Sequence, residues 1–156
     1  MNWPYIHIMI NHFPIILTVV GSAVLLLALI VRQRGLWLYA LATLTLAGLS
    51  VYPVFFAGDR AADAVQHTWY IVRSAVEEHD GAAGWALVSL LLMGAASAYA
   101  WWRMLRRELA SLPPVWLRVM VTILAAWGLS VVIRTAYLGG EIVHDSPKLT
   151  NPPAGD

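Results

Sequence analysis

Residues 12–31 read HFPIILTVVGSAVLLLALIV, a run without one formally charged side chain. A helix rises about 1.5 Å per residue, so a run of this length covers about 30 Å, the thickness of bilayer hydrocarbon. Backbone groups left unpaired in lipid are costly, so such a run must be helical. Three more stretches share its character: 36–56, 81–102 and 115–138. The reading is an all-α protein: an integral membrane four-helix bundle over residues 1–145, followed by an extended Pro-rich tail over 146–156.

Composition agrees. Hydrophobic residues make up 60% of the 156 positions and charged residues 12%. Ordinary soluble domains have about 45–50% and about 25%. The surplus of apolar surface finds its place in the lipid bilayer. The formal net charge of +1 and the lack of a separate basic patch exclude nucleic acid as a partner. The absence of cysteine removes disulfides, thiolate metal sites, iron–sulfur clusters and covalently attached haem.

The connections differ in kind. Residues 32–35 read as a tight turn, and 103–114 as a short basic loop closed by Pro113-Pro114. Residues 57–80 read as a longer surface loop. In it Ala61, Ala64 and Val65, then Trp69, Val72 and Val76, recur near helical spacing, as in a helix lying on a membrane. Asn2 and Pro4 mark the start of the first helix, and Pro14 loosens it. Gly139-Gly140 reads as a C-cap that ends the fourth helix and folds 141–144 over the bundle mouth. No internal repeat stands out, although two helical hairpins are natural halves.

Arginines set the direction. Arg32, Arg34, Arg103, Arg106, Arg107 and Arg118 lie at one end. Arg60, Arg73 and Lys148 lie at the other, with Arg134 inside a span. The expected location is a bacterial inner membrane with both termini on the periplasmic side. The first helix lacks a basic n-region and a small-residue cleavage site, so it reads as retained rather than cleaved.

All five histidines, His7, His12, His67, His79 and His144, fall at the outer end. A single interfacial histidine is commonly an amphipathic anchor. Several at one level of a bundle form the kind of arrangement that holds a metal or cofactor. His12, His79 and His144 come from three different helices and are the expected metal-binding set, with His7 a fourth cofactor ligand. His7 and Asn11 share a helix face that His12 does not. His67 is the weakest candidate. Arg134, a charge within a span, is expected to meet an anionic group such as a haem propionate or to snorkel outward. Glu77, Glu78 and Asp80 flank His79, either favouring a helix dipole or orienting that ring. Met9 is a soft side chain whose ordinary role is packing. Gly81, Gly84 and Gly94 with residues 95–98 give the third helix a small-sided face for close approach.

His12-Phe13-Pro14-Ile15, residues 57–62 (AGDRAA), residues 78–82 (EHDGA) and residues 139–144 (GGEIVH) resemble the motifs of an uncharacterised, DUF-type family of four-helix bacterial inner-membrane domains. The closing motif of that family is Gly-Gly-x-x-Val-x-His; the present chain is one residue shorter there. The resemblance covers nearly the whole chain. It implies a redox setting, since some members are linked to c-type cytochromes, and it implies His12, His79 and His144 as site residues.

Three functions follow as expectations. The leading one is a b-type haem electron-transfer protein, or subunit of a redox complex, with its site at the periplasmic face. A c-type cytochrome, quinol or larger redox complex would be its partner. The second is a non-haem site for Zn, Cu or Fe on His12, His79 and His144 with Glu78 or Asp59. The third is a cofactor-free accessory subunit of a respiratory or photosynthetic complex. The only enzymatic role in view is as an oxidoreductase component. No nucleophile elbow, phosphate loop or HExxH motif is present.

Overall fold

In the computed structural model residues 2–65, 72–106 and 112–144 are described, the side chains of 143 and 144 excepted. Five helices account for nearly all of them: α1 (Trp3–Ile10), α2 (His12–Val31), α3 (Arg34–Val65), α4 (Arg73–Leu105) and α5 (Val115–His144). The Asn2 side chain accepts the Tyr5 N–H at 3.2 Å and caps α1. Pro14 has no N–H to continue the ladder through this region, and α1 gives way to α2 at Asn11. The two form one rod from Trp3 to Val31. With α3, α4 and α5 this makes four rods long and apolar enough to cross a membrane.

The rods run up, down, up and down. Along the first hairpin, Trp37 Nε1 donates to the Ala28 carbonyl at 3.1 Å, and His7 reaches the Val54 carbonyl at the far end. Along the second, Trp127 Nε1 donates to Ser89 Oγ at 2.9 Å, and His79 reaches the Thr135 carbonyl. The hairpins meet most closely where α3 crosses α4 at Gly48 and Gly94. A Cβ on Gly48 would stand 2.7 Å from the Gly94 Cα. Glycine is required there so that the two backbones can touch. The core runs along this seam through Leu25, Trp37, Leu41, Leu44, Leu90, Met93 and Met104.

Two expected boundaries change. Of the stretch 57–80, residues 57–65 continue α3 and residues 73–80 belong to α4 rather than to a separate surface helix; residues 66–71, with Trp69, lie outside the described residues. The apolar positions Ala61, Ala64, Val65 and Val76 belong to rods that run on past the apolar stretches. Gly139-Gly140 does not end α5, which continues to His144, and among the described residues no glycine has a positive φ. The tail 146–156, His67 and most of the loop before Pro113 lie outside the described residues.

Candidate functional site at the histidine end

His7 and His79 meet inside the bundle. Their ring centroids are 6.4 Å apart and the ring planes lie at 78°. His7 Nδ1 lies 3.2 Å from the Val54 carbonyl of α3. His79 Nδ1 lies 3.0 Å from the Thr135 carbonyl of α5. A carbonyl can only accept, so each ring carries its proton on Nδ1 and keeps the Nε2 lone pair. That is the tautomer a metal-binding imidazole needs, oriented by a partner behind it.

Each ring also rests on a glycine one turn beyond the carbonyl it uses. A Cβ on Gly58 would lie 2.9 Å from His7 Cε1, and one on Gly139 would lie 3.0 Å from His79 Cε1. Gly139 is therefore small because a ring packs on it, which explains why it does not cap the helix.

The same device thus occurs twice, and the repeat extends into the core. The shift in numbering that carries His7 onto His79 carries Pro14, Thr18, Gly21, Ser22, Leu25 and Ala28 of α2 onto Ala86, Leu90, Met93, Gly94, Ser97 and Ala100 of α4. All of these are buried. The shift that carries Val54 onto Thr135 and Gly58 onto Gly139 carries Ala40, Leu44, Ala47 and Val51 onto Val121, Ala125, Gly128 and Val132. These too are buried. The correspondence is partial: Trp37, Leu41 and Gly48 are buried where Arg118, Thr122 and Leu129 are only half-buried. The histidine, carbonyl and glycine arrangement is what the two hairpins share most fully. The repeat escapes a sequence reading because paired positions hold different residues, Pro14 against Ala86 and Thr18 against Leu90. What they share is burial.

A cavity of about 650 Å³ surrounds the two rings, with Val51, Ala86, Leu90 and Val132 among its apolar walls and Asn11, Asp59 and Asp80 among its few polar ones. Its size falls in the range of about 300–1,000 Å³ typical of small-molecule and cofactor sites. Asn11 Oδ1 is shut from solvent with no hydrogen-bond partner. It has an unspent capacity beside the histidines, one turn along α1 from His7.

The expected site residues separate. His79 is central, and His7 rather than His12 is its partner. His12 lines the cavity but is exposed. His144 closes α5, and its side chain lies outside the described residues. Arg134 is exposed and is not part of the cavity wall. Glu77 is engaged by Arg73 at 3.0 Å on the exposed surface, and the first turn of α4 holds no acidic residue. The helix-dipole reading of these acidic residues therefore does not apply as made; backbone carbonyls hold Nδ1 of both rings, and Asp80 lies in the cavity wall with His79. Among the described residues, no three His, Asp or Glu side chains gather as a metal site.

The pair has a specific chemical capacity. Imidazole nitrogen binds a metal such as zinc at about 2.0–2.1 Å, and the ring centre lies roughly 1.1–1.2 Å beyond. Two imidazoles on opposite sides of one metal therefore have centres about 6.2–6.6 Å apart. The observed centroid separation is 6.4 Å, with the two rings edge-on at 78°. No family model, curated protein or solved structure matches the chain.

Proposed function

We propose that the protein is an integral membrane b-type haem protein that passes single electrons, with His7 and His79 as the two axial ligands. The observation that carries this reading is the separation of the two rings, each with Nδ1 held by a carbonyl. Two imidazoles alone leave most metal coordination positions open, since zinc takes four ligands. A porphyrin supplies four further nitrogens in a plane, and the apolar cavity around the rings suits its faces. Haem, when bound, supplies the one-electron chemistry; the chain contributes ligation, orientation and a dry site.

The insertion and direction of the bundle belong to the same proposal. Four long apolar rods support spanning, and the arginines at the end opposite the histidines support a periplasmic position for the haem and both termini. A periplasmic c-type cytochrome or membrane quinol is the partner class that such a site would meet, as the resemblance to the DUF-type inner-membrane family also implies.

The test is an absorption spectrum of the purified full-length protein, oxidised and dithionite-reduced, with elemental analysis of the same sample. A Soret band, sharp reduced α and β bands and stoichiometric iron are expected. Stoichiometric Zn or Cu without a Soret band would replace haem with a non-haem site. A protein free of metal and chromophore would favour an accessory subunit.

A further inference from the structure

The two hairpins are less well joined on one side than on the other. Gly48 and Gly94 bring α3 against α4. The repeat places Leu129 and Ser22 at the matching positions of α5 and α2, and those helices touch more sparingly. Between them, nearer the arginine end, lies a second cavity of about 260 Å³, lined by Leu29, Val115, Arg118, Val119 and Thr122. Arg118 is the one charged group in that wall. It is half-buried, and its Nε is closed to solvent without a hydrogen-bond partner. A half-buried guanidinium whose Nε lacks a partner is suited to the oxygens of an anion. The other charged groups described at this end are Arg32, Arg34, Arg103 and Arg106, with no Asp or Glu among them; Glu108 of the connecting loop lies outside the described residues.

We propose that the groove between α2 and α5 binds one anionic phospholipid of the inner leaflet. Its phosphate lies on the Arg118 guanidinium, and an acyl chain follows the apolar wall of Leu29, Val115 and Val119. The combination selects a lipid over a free anion. The charge is planar and suited to phosphate oxygens, while the rest of the wall offers hydrocarbon, which only an acyl chain can use. Basic pockets between spanning helices on the cytoplasmic side are sites of this chemistry. The lipid would also bridge the weaker seam of the bundle. The inference rests on the proposed membrane insertion, but not on haem.

The experiment is native mass spectrometry of the full-length protein in detergent, with phosphatidylglycerol, phosphatidylcholine of the same acyl chains, or inorganic phosphate added. The unaltered protein is expected to retain one phosphatidylglycerol and neither of the other two. Arg118→Gln should lower that retention about five- to tenfold. Arg106→Gln, whose parent guanidinium stacks on Trp102, should keep it. Val119→Trp, which fills the groove and leaves the charge, should also lower it, so the result does not depend on one variant folding. Equal retention of both lipids, equal retention by Arg118→Gln, or retention of phosphate alone would overturn the proposal. Cysteine labelling of the termini in whole cells tests the insertion separately, so failure of the lipid site and failure of the topology are told apart.

Discussion

His7 and His79 stand in the same relation to two different helices. Each gives its Nδ1–H to a main-chain carbonyl, Val54 or Thr135, and each lays its ring on the glycine one turn further along, Gly58 or Gly139. The ring centroids then stand 6.4 Å apart, with the planes at 78°. A helix carbonyl that also takes a side-chain proton fixes both the tautomer and the direction of the ring. The pair is therefore preorganised by backbone atoms that substitution cannot remove, and its weak points are the glycines.

Replacing the ligands tests the pairing directly. His7→Ala and His79→Ala are each expected to abolish the low-spin haem spectrum while the protein still inserts. His12→Ala should retain it, because His12 is exposed at the cavity wall. Optical spectra with a pyridine haemochrome assay check this. Loss in His12→Ala with retention in His7→Ala would reverse the assignment.

The two adjacent glycines of α5 should behave differently. A Cβ on Gly139 would press on His79 at 3.0 Å, whereas one on Gly140 meets nothing within 4 Å. Gly139→Ala is expected to turn the ring and weaken haem binding about two- to tenfold, as an off-rotamer cost of about 0.5–1.5 kcal/mol implies. Gly140→Ala should leave both affinity and the electron paramagnetic resonance g-values unchanged. Gly58→Ala should repeat the Gly139→Ala effect on the His7 side.

The α3–α4 crossing tolerates no side chain. In Gly48→Ala the new methyl would lie 2.7 Å from both the Gly94 Cα and the Leu90 carbonyl oxygen. Both are backbone atoms, so the helices must part, at about 1–3 kcal/mol. Gly35→Ala, also in α3 but open on all sides, should gain about 0.5–1 kcal/mol through the lower entropy of its unfolded chain. Thermal unfolding in one detergent compares them; equal Tm values would argue against a close crossing.

Arg32 ends α2 in the left-handed region, with φ at 56°. A residue with a Cβ held there costs roughly 1–2 kcal/mol. Arg32→Gly is accordingly expected to raise stability by about 1 kcal/mol, and Arg32→Ala to give no such gain. A lower Tm for Arg32→Gly would show that the arginine side chain contributes more than the strain removes.

Sequence alone was enough for the helices. Apolar runs of about 20 residues leave the backbone one way to satisfy its hydrogen bonds in lipid, and four such rods are present in the structure. The end of the bundle that holds the histidines was also legible, since helix rise converts position in a run into depth. Which histidines meet was not. His7 and His12 are one and a half turns apart on neighbouring helices, and their directions depend on how α1 packs against α3. Sequence spacing cannot report the interhelical fit at Gly58 and Gly139 that seats the rings. The same holds for Gly139-Gly140, whose letters suit a helix end equally well until His79 is seen to pack there. The paired histidine, carbonyl and glycine arrangement stayed hidden because the residues around it differ between the hairpins, Pro14 against Ala86 and Thr18 against Leu90. Local hydrophobicity determined the rods; the tertiary packing of one helix on another decided the site, because the contacts that orient both imidazoles are made by backbone atoms distant in the chain.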